Sequence, residues 1–230
     1  MEDSLDSPTA DATLPLAEWE QVRFDALQSL PRDERHAAIE KLATARNMDP
    51  VWHVLAAQAQ ASPEDLSAIE SAIASWSDGS RVMPHAWFES LQSGRFATYH
   101  QLVRQLVLKG TEAAVLHVPG VETSLGGLRG LGLRGLDRVA VEQALALDWL
   151  HGVQELHLTD SATPTAPDLP SVESLEIHGG EHAATELAAL ITGSAFRSRI
   201  CIYPASGSAW GNSVARSPKR RSSANRSRFG

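Results

Sequence analysis

A six-residue apolar pattern recurs through the second half of the chain and constrains its fold more than any other feature. The pattern has apolar residues at its first, fourth and sixth positions. Copies occupy residues 113–118, 128–133, 153–158 and 172–177, and Ile200 with Ile202 form a degenerate fifth. Their central residues are at positions 116, 131, 156, 175 and 200. Only the steps from 131 to 156 and from 175 to 200 fall within the roughly 20–29 residues of a repeat that contains one strand and one return segment.

These copies predict short parallel strands. Successive side chains of a strand point to opposite faces, so the apolar residues at the fourth and sixth positions would share one face and the residue between them would point to the other. A strand this short is stable only when neighbours stack beside it and share one core. Residues 139–150 and 181–191, between the copies, have apolar residues at helical spacing. We therefore predict that residues 111–203 form an α/β fold, a short solenoid in which parallel strands alternate with helical returns.

Residues 15–110 are predicted to form a helical region that precedes the strands. Apolar residues recur every three or four positions over residues 16–30, and Pro31 ends this first helix. A last helix is predicted over residues 85–109, with Gly110 as its C-terminal stop. Four tryptophans occupy apolar positions of these helices and are expected in the core: Trp19, Trp52, Trp76 and Trp87.

The two ends of the chain differ in charge. Residues 1–14 are small, polar and acidic, and residues 204–230 form a basic tail, so both segments are predicted to be disordered. Residues 212–230 contain six basic residues and no acidic residue. Because the whole chain has a net charge of -8, residues 1–211 carry about -14. We expect the tail and the rest of the molecule to attract each other.

The composition excludes several classes of protein. A net charge of -8 opposes nucleic-acid binding over most of the surface. The single cysteine, Cys201, excludes an internal disulfide and a cysteine-rich zinc module. No apolar run reaches about 18 residues, and the amino terminus lacks the basic and apolar regions of a Sec signal peptide. We therefore predict neither a membrane span nor export by the Sec route.

The stretch from Leu169 to Ile177, LPSVESLEI, resembles the LP-x-x-L-x-x-L-x-I unit of bacterial leucine-rich repeats. With the copies at 128–133 and 153–158, it is similar to the leucine-rich-repeat effectors that bacterial pathogens deliver by type III secretion, particularly those with a helical region ahead of the repeats. The resemblance covers residues 111–203. It implies a concave protein-binding scaffold and, in several members, a separate ubiquitin-ligase domain after the repeats.

Two departures from the pattern of that family bear on the interpretation. The asparagine expected after each strand is replaced by Thr159 and Asp160 in one unit and by His178 and Gly179 in another. The backbone hydrogen bonds that this asparagine completes would need other partners. The basic tail does not have the composition of a folded ligase domain, so we expect the chain to hold only the recognition part of such an effector.

Polar residues that flank the inward-pointing leucines form the predicted binding site. In the predicted strands they lie on one concave face and carry charges of both signs. Repeat proteins use such faces to bind other proteins, and a solvated face without a partner is the competing interpretation. The predicted protein-binding residues are His117, Arg134, Glu155, His157, Thr159, Glu176 and His178.

Catalysis and cofactor binding have little support in the sequence. Cys201 alternates with two isoleucines and has no basic partner that the sequence locates, so we predict no catalytic residue. The glycines between 126 and 135 are not followed by the Lys and Ser or Thr of a phosphate-binding loop. A metal site from His157, Glu176 and His178 is chemically possible, but no pair among them has a diagnostic ligand spacing. We expect no cofactor and no metal.

These observations predict a secreted effector, or the recognition fragment of one, that binds a host protein through a leucine-rich-repeat face. Delivery would follow a non-Sec route from the bacterial cytoplasm into a host cell, with a secretion chaperone as a further partner. Two alternatives remain open: a ubiquitin-ligase-type effector enzyme, and an accessory factor that binds nucleic acid through the basic tail. Lys219, Arg220 and Arg221 in that tail could be recognised by an import receptor, could contact an anionic polymer or lipid, or could be solvated without a partner.

Overall fold

The structure, a computed structural model, describes residues 15–44, 48–165, 171–179 and 199–203. It has an α/β architecture in which N-terminal helices precede a parallel sheet. The predictions for the two chain ends, and for a helix over residues 181–191, lie outside the described residues.

Helices and short 3-10 turns build the N-terminal part. The first helix ends before Pro31, as predicted, and the carbonyl of Pro31 accepts a hydrogen bond from Arg35 N (2.8 Å) at the start of the second helix. The α-helices of this part are α1 (Glu18–Gln28), α2 (Arg32–Ala43), α3 (Met48–Ala61), α4 (Leu66–Ala72) and α5 (Phe88–Gln92). The 3-10 turns are Pro63–Asp65, Asp78–Ser80, His85–Trp87 and Thr98–Leu102.

Three of the four tryptophans predicted for the core are buried: Trp52, Trp76 and Trp87. The indole N–H of Trp52 donates to Val82 O (2.9 Å), so its burial leaves no unsatisfied donor. The prediction is wrong for Trp19, which is 42% exposed on α1. The guanidinium carbon of Arg23 lies 5.1 Å from the centroid of the Trp19 ring. Trp19 is at an apolar spacing along α1, but this helix buries only part of its apolar stripe.

Parallel strands form one sheet whose strand order follows the chain. The strands are β1 (Gln105–Lys109), β2 (Gly130–Arg134), β3 (Glu155–Thr159), β4 (Ser174–His178) and β5 (Arg199–Tyr203). The aliphatic residues at the second position of the strands are lateral neighbours in the order Leu106, Leu131, Leu156, Leu175 and Ile200. The predicted side-by-side pairing is therefore confirmed for the copies at 128–133, 153–158 and 172–177 and for the degenerate fifth.

Two predictions for the residues before β2 are wrong. The segment predicted as one helix over residues 85–109 contains short helical turns and then β1. The copy at 113–118 is not a strand, because Gly110–His117 is a 3-10 helix. Apolar residues three positions apart also fit one face of a helix, so this spacing does not separate the two structures.

The first strand instead belongs to a copy made by Val103, Leu106 and Leu108, which has the same apolar pattern. With this copy, the lateral neighbours fall at positions 106, 131, 156, 175 and 200. The step from 156 to 175 is the shorter one, and the other three steps are equal. The sheet thus begins inside the region predicted to be helical, and its units are more regular than the sequence alone indicates.

The residue after each of the first four strands has a positive φ. These residues are Gly110 (50°), Gly135 (66°), Asp160 (49°) and Gly179 (65°). Left-handed backbone favours glycine, and aspartate is among the few other residues that adopt it readily. The same turn therefore occurs at the same position of successive units, and three of the four units place glycine there.

The segments between the first three strands are helical. A 3-10 helix (Gly110–His117) and α6 (Val121–Ser124) connect β1 to β2. The connection from β2 to β3 holds α7 (Arg138–Leu145), as its apolar spacing predicts, and a 3-10 turn at Asp148–Gly152. The carboxylate of Asp137 caps α7, since it accepts a hydrogen bond from Ala140 N (2.8 Å).

Two rows of aliphatic side chains fill the core of the sheet. One row joins Leu106, Leu131, Leu156 and Leu175, and the next joins Leu108, Leu133, Leu158 and Ile177; all eight are at most 1% exposed. Burial of each such side chain contributes about 1.5–3 kcal/mol before the cost of ordering the chain. The buried residues of the helical region belong to the same continuous cluster, so one core spans both parts.

The helical region joins the sheet directly at β1. Val82 pairs with Gln105 as a parallel bridge, and Met83 N donates to Gln105 O (2.9 Å). Beside this bridge Arg81 is buried, with its Nε donating to Leu102 O (2.8 Å). Burial, together with the nearby charge of Arg104, lowers the pKa of Arg81 to about 10. The residues at 81–83 thus continue the hydrogen bonding of the sheet into the helical region.

Candidate protein-binding face

One face of the sheet is formed by the residues that alternate with the buried aliphatic rows. We call it the open face. Its side chains are polar or half-exposed at most positions, because the leucines between them point into the core. We restrict the name to strands β1 to β4, where it comprises Gln105, Val107, Lys109, Gly130, Gly132, Arg134, Glu155, His157, Thr159, Ser174, Glu176 and His178.

Six of the seven predicted protein-binding residues lie on the open face: Arg134, Glu155, His157, Thr159, Glu176 and His178. The seventh, His117, does not, because it is an exposed residue at the end of the 3-10 helix Gly110–His117. The prediction that it lies beside the others is wrong because residues 113–117 form part of a 3-10 helix and not a strand.

The open-face residues of β1 were missed from sequence: Gln105, Val107 and Lys109. They were missed because β1 was assigned to a helix. The signal that could have found them is the pattern at residues 103–108, which precedes the copy at 128–133 by the same interval that separates that copy from the one at 153–158.

A polar network crosses the open face from β1 to β4. Gln105 Nε2 donates to Glu155 Oε2 (3.1 Å). His157 Nδ1 lies 3.2 Å from Glu176 Oε2, and His178 Nε2 lies 3.4 Å from the same oxygen. His157 and Glu176 are lateral neighbours, as predicted. Both carboxylates of the open face are therefore held by neighbouring side chains in fixed positions.

Glycine at two positions of β2 allows the network to cross that strand. A Cβ atom on Gly130 would lie 2.6 Å from Cγ of Gln105, and one on Gly132 would lie 3.2 Å from Cγ2 of Val107. Any side chain at 130 would therefore displace Gln105, which passes over β2 to reach Glu155 on β3. The absence of side chains at these two glycines therefore allows Gln105 on β1 to bond to Glu155 on β3.

Lys109 and Arg134 are the basic residues of the open face. They are lateral neighbours at the C-terminal ends of β1 and β2, and both are exposed. Across the described part of the chain, neither charged group forms an ion pair within 4.0 Å, and the nearby Glu112 carboxylate accepts from the backbone N of Lys109 (2.7 Å). They differ in this respect from the carboxylates of the same face.

A buried serine bonds to backbone groups near the ends of two neighbouring strands. Ser161 follows β3 and is 3% exposed. Its Oγ accepts a hydrogen bond from Leu136 N (3.2 Å) and lies 3.0 Å from the carbonyl oxygens of both Leu133 and Thr159. The Ser161 hydroxyl thus gives the N–H of Leu136 an acceptor and lies between the ends of β2 and β3.

The titratable groups with the largest shifts lie in the helical region, away from the open face. Burial lowers the pKa of His100 to about 4. Burial also raises the pKa of Tyr99 to about 12, against a smaller opposing effect of its hydrogen bond with Ser90. His100 Nδ1 accepts from Ala97 N (3.1 Å) and lies 3.1 Å from Ser124 Oγ, so it connects this region to α6. These groups are enclosed in the core and have a structural role.

Metal ligation and membrane insertion find no support in the described residues. Among them, no cluster of three or more His, Cys, Asp or Glu side chains could hold a metal ion. Cys201 is a half-buried free thiol beside Glu176 in the register of the sheet. In the same part of the chain, none of the helices has both the length and the apolar character needed to cross a bilayer.

Comparison of the chain with protein-family models, with curated proteins and with solved structures gives no match.

Proposed function

We propose that the chain is a short leucine-rich-repeat-like solenoid that binds another protein through its open face. The observation that carries this proposal is the sidedness of the sheet, whose aliphatic rows are buried on one side while its polar residues stay accessible on the other. Repeat proteins that stack one strand per unit expose an extended face of this kind for binding.

The repeat interpretation is supported by two features that recur in register and by one contact between successive units. Three of the four steps between successive strands have the same length. A left-handed residue follows each of the first four strands. The hydroxyl of Ser161 bonds to the backbone between two successive units. In the family that the sequence resembles, an asparagine makes backbone hydrogen bonds of this kind.

The open face is suited to binding because its side chains are already held in place. Glu176 bonds to two histidines and Glu155 to Gln105, above a core that fixes the strands. Binding to a preorganised surface loses little side-chain entropy, which leaves more of the interaction energy for affinity. The mixture of charged and polar groups also favours a specific partner over general adhesion.

The biological setting of this proposal is that of a bacterial effector, or its recognition fragment, that is delivered into a host cell and binds a host protein there. It is supported by the resemblance of residues 111–203 to leucine-rich-repeat effectors and by the small, acidic segment at residues 1–14. Fusion of a translocation reporter to the full chain tests this setting. Reporter signal in host cells that requires the secretion system supports it, and signal that does not require the system contradicts it.

The binding function is tested by affinity capture with the full chain. A double substitution on the open face, His157→Ala with Glu176→Ala, is compared with a double substitution on α7, Val139→Ser with Gln143→Ala, whose side chains are exposed. We expect the first pair to lower recovery of a specifically bound host protein by about tenfold or more and the second to leave it unchanged. Equal recovery by both variants would remove the open face as the binding site.

A further inference from the structure

Lys109 and Arg134 form an unneutralised pair of positive charges on the open face. They are directly opposite each other on adjacent parallel strands, which lie about 4.8 Å apart. Like charges at such a position destabilise a sheet, and within the described residues neither charged group forms an ion pair; the nearby carboxylate of Glu112 accepts from the backbone N of Lys109 instead (2.7 Å). A bound anion would relieve that repulsion, because one carboxylate group can bridge two neighbouring cations.

The acidic residues of the same face are in the opposite situation. Glu155 accepts a hydrogen bond from Gln105 (3.1 Å), and Glu176 Oε2 lies 3.2 Å from one histidine nitrogen and 3.4 Å from another. A cationic ligand would have to share each carboxylate with its internal partners. An anionic ligand at Lys109 and Arg134 would meet two charged groups that form no ion pair among the described residues.

An exposed apolar side chain lies beside the cations. Val107 is 46% exposed, precedes Lys109 by two positions on the same face of β1, and has its methyl groups above Gly132. Apolar and cationic contacts are thus within about 7 Å of each other. A nucleic acid backbone would leave this apolar contact unused, whereas a peptide can place a carboxylate and an aliphatic side chain next to each other.

We infer that the open face binds an acidic segment of its partner protein, with a carboxylate bridging Lys109 and Arg134 and an adjacent apolar side chain on Val107. This inference rests on the proposed protein-binding function and adds the chemistry of the partner. The segment carries carboxylates next to an aliphatic residue, and its binding weakens as ionic strength rises, since the contacts are at the surface.

Fluorescence anisotropy with synthetic peptides tests the inference on the full chain. The probe is a labelled peptide of sequence Glu-Glu-Leu-Glu-Glu-Leu, and the comparison is a peptide in which every Glu is Lys. We expect the wild-type chain to prefer the acidic peptide at an ionic strength of about 0.15 M, where the long-range effect of the net charge of -8 is largely screened and local contacts decide the preference. The double substitution Lys109→Glu with Arg134→Glu should weaken acidic-peptide binding by about tenfold or more and reverse the preference. Far-UV circular dichroism of each variant checks that it remains folded, because an unfolded chain of higher negative charge would also attract the lysine peptide.

The matched control changes net charge equally but away from the open face. Arg95 and Arg129 are exposed and are not part of that face, so Arg95→Glu with Arg129→Glu should leave the preference for the acidic peptide. Val107→Ser should weaken binding of the Leu-containing acidic peptide more than of one with Ser in place of Leu.

Several results would overturn the inference. One is an affinity for the acidic peptide that falls equally in both charge-changed variants. Another is a wild-type preference for the lysine peptide. A third is a labelled DNA duplex that binds more tightly than the acidic peptide and depends on Lys109 and Arg134, which would assign the pair to a polyanion. If the peptides fail while His157→Ala with Glu176→Ala still abolishes capture of a host protein, protein binding stands and only the acidic partner is discarded.

Discussion

The helical region and the parallel strands hold their structures in different ways. In the helical region, a few buried polar groups each join several elements; Asp65 alone is bonded by Arg35, His36 and Gln58. In the strands, the same aliphatic contact is repeated from one unit to the next. A single substitution in the first part should therefore disrupt several elements at once, whereas in the second it should open one cavity in a continuous row.

The largest effect is expected at Asp65. This carboxylate is fully buried, and although burial itself opposes its charge, hydrogen bonds from Arg35, Gln58 and His36 outweigh that effect and lower its pKa. Replacement by alanine leaves the Arg35 charge without its close partner (2.6 Å). We expect Asp65→Ala to lower the free energy of unfolding by about 4 kcal/mol, measured by urea denaturation.

The neighbouring acid supplies the control for Asp65. Glu64 is half-exposed and lies 3.6 Å from Arg35 Nη2. Because solvent screens this pair, Glu64→Ala should cost less than about 1 kcal/mol. Equal effects of the two substitutions would show that Arg35 responds to the total charge around it and not to the buried hydrogen bonds.

The next effect is expected in the aliphatic row. Leu156 is buried between Leu131 and Leu175, and truncation leaves a cavity that its neighbours fill only in part. We expect Leu156→Ala to cost about 3 kcal/mol in the same assay, and Thr159→Ala, on the open face of the same strand, to cost less than about 0.5 kcal/mol. A small loss at Leu156 would show that the rows rearrange, contrary to the picture of a fixed ladder.

A pH-dependent effect is expected from His100. Its pKa in the folded protein, about 4, is below its ordinary value of 6.5, so the unfolded chain binds the proton more readily between these two pH values. Stability from this group is complete above about pH 6.5 and decreases as the pH falls towards 4, by an amount on the order of 2–3 kcal/mol. Unfolding free energies measured from pH 7 to 4 should fall more steeply for wild type than for His100→Gln. Parallel curves would contradict the assignment.

The smallest effect is expected at Ser161, which joins two strand ends. Ser161→Ala removes a hydroxyl that accepts from Leu136 N and is close to two carbonyl oxygens. We expect a loss of about 1–2 kcal/mol, because a buried backbone N–H is left without a partner. Ser161→Asn tests whether the family's usual residue can replace serine here, and recovery of stability relative to alanine would support the repeat interpretation.

Much of the sheet could be predicted from the sequence because its geometry repeats. Strands β2, β3 and β4 follow from the leucine pattern, and that pattern placed His157 beside Glu176 and six of the predicted residues on one face. The fold class was correct at the level of N-terminal helices followed by a parallel sheet.

What could not be predicted depends on contacts between distant parts of the chain. Strand β1 has the strand pattern, but the residues before it have helical spacing, and its pairing with β2 decides the outcome. The roles of Asp65 and His100 depend on partners brought together by packing, such as Arg35 and Ser124. Trp19 is exposed because α1 has no further element over that side chain among the described residues.

The equal steps from β1 to β2 and from β2 to β3 make these units interchangeable in length. The number of strands, and with it the width of the open face, could therefore change by whole units, in evolution or in protein design, without any change in the sequence of the helices that precede the sheet.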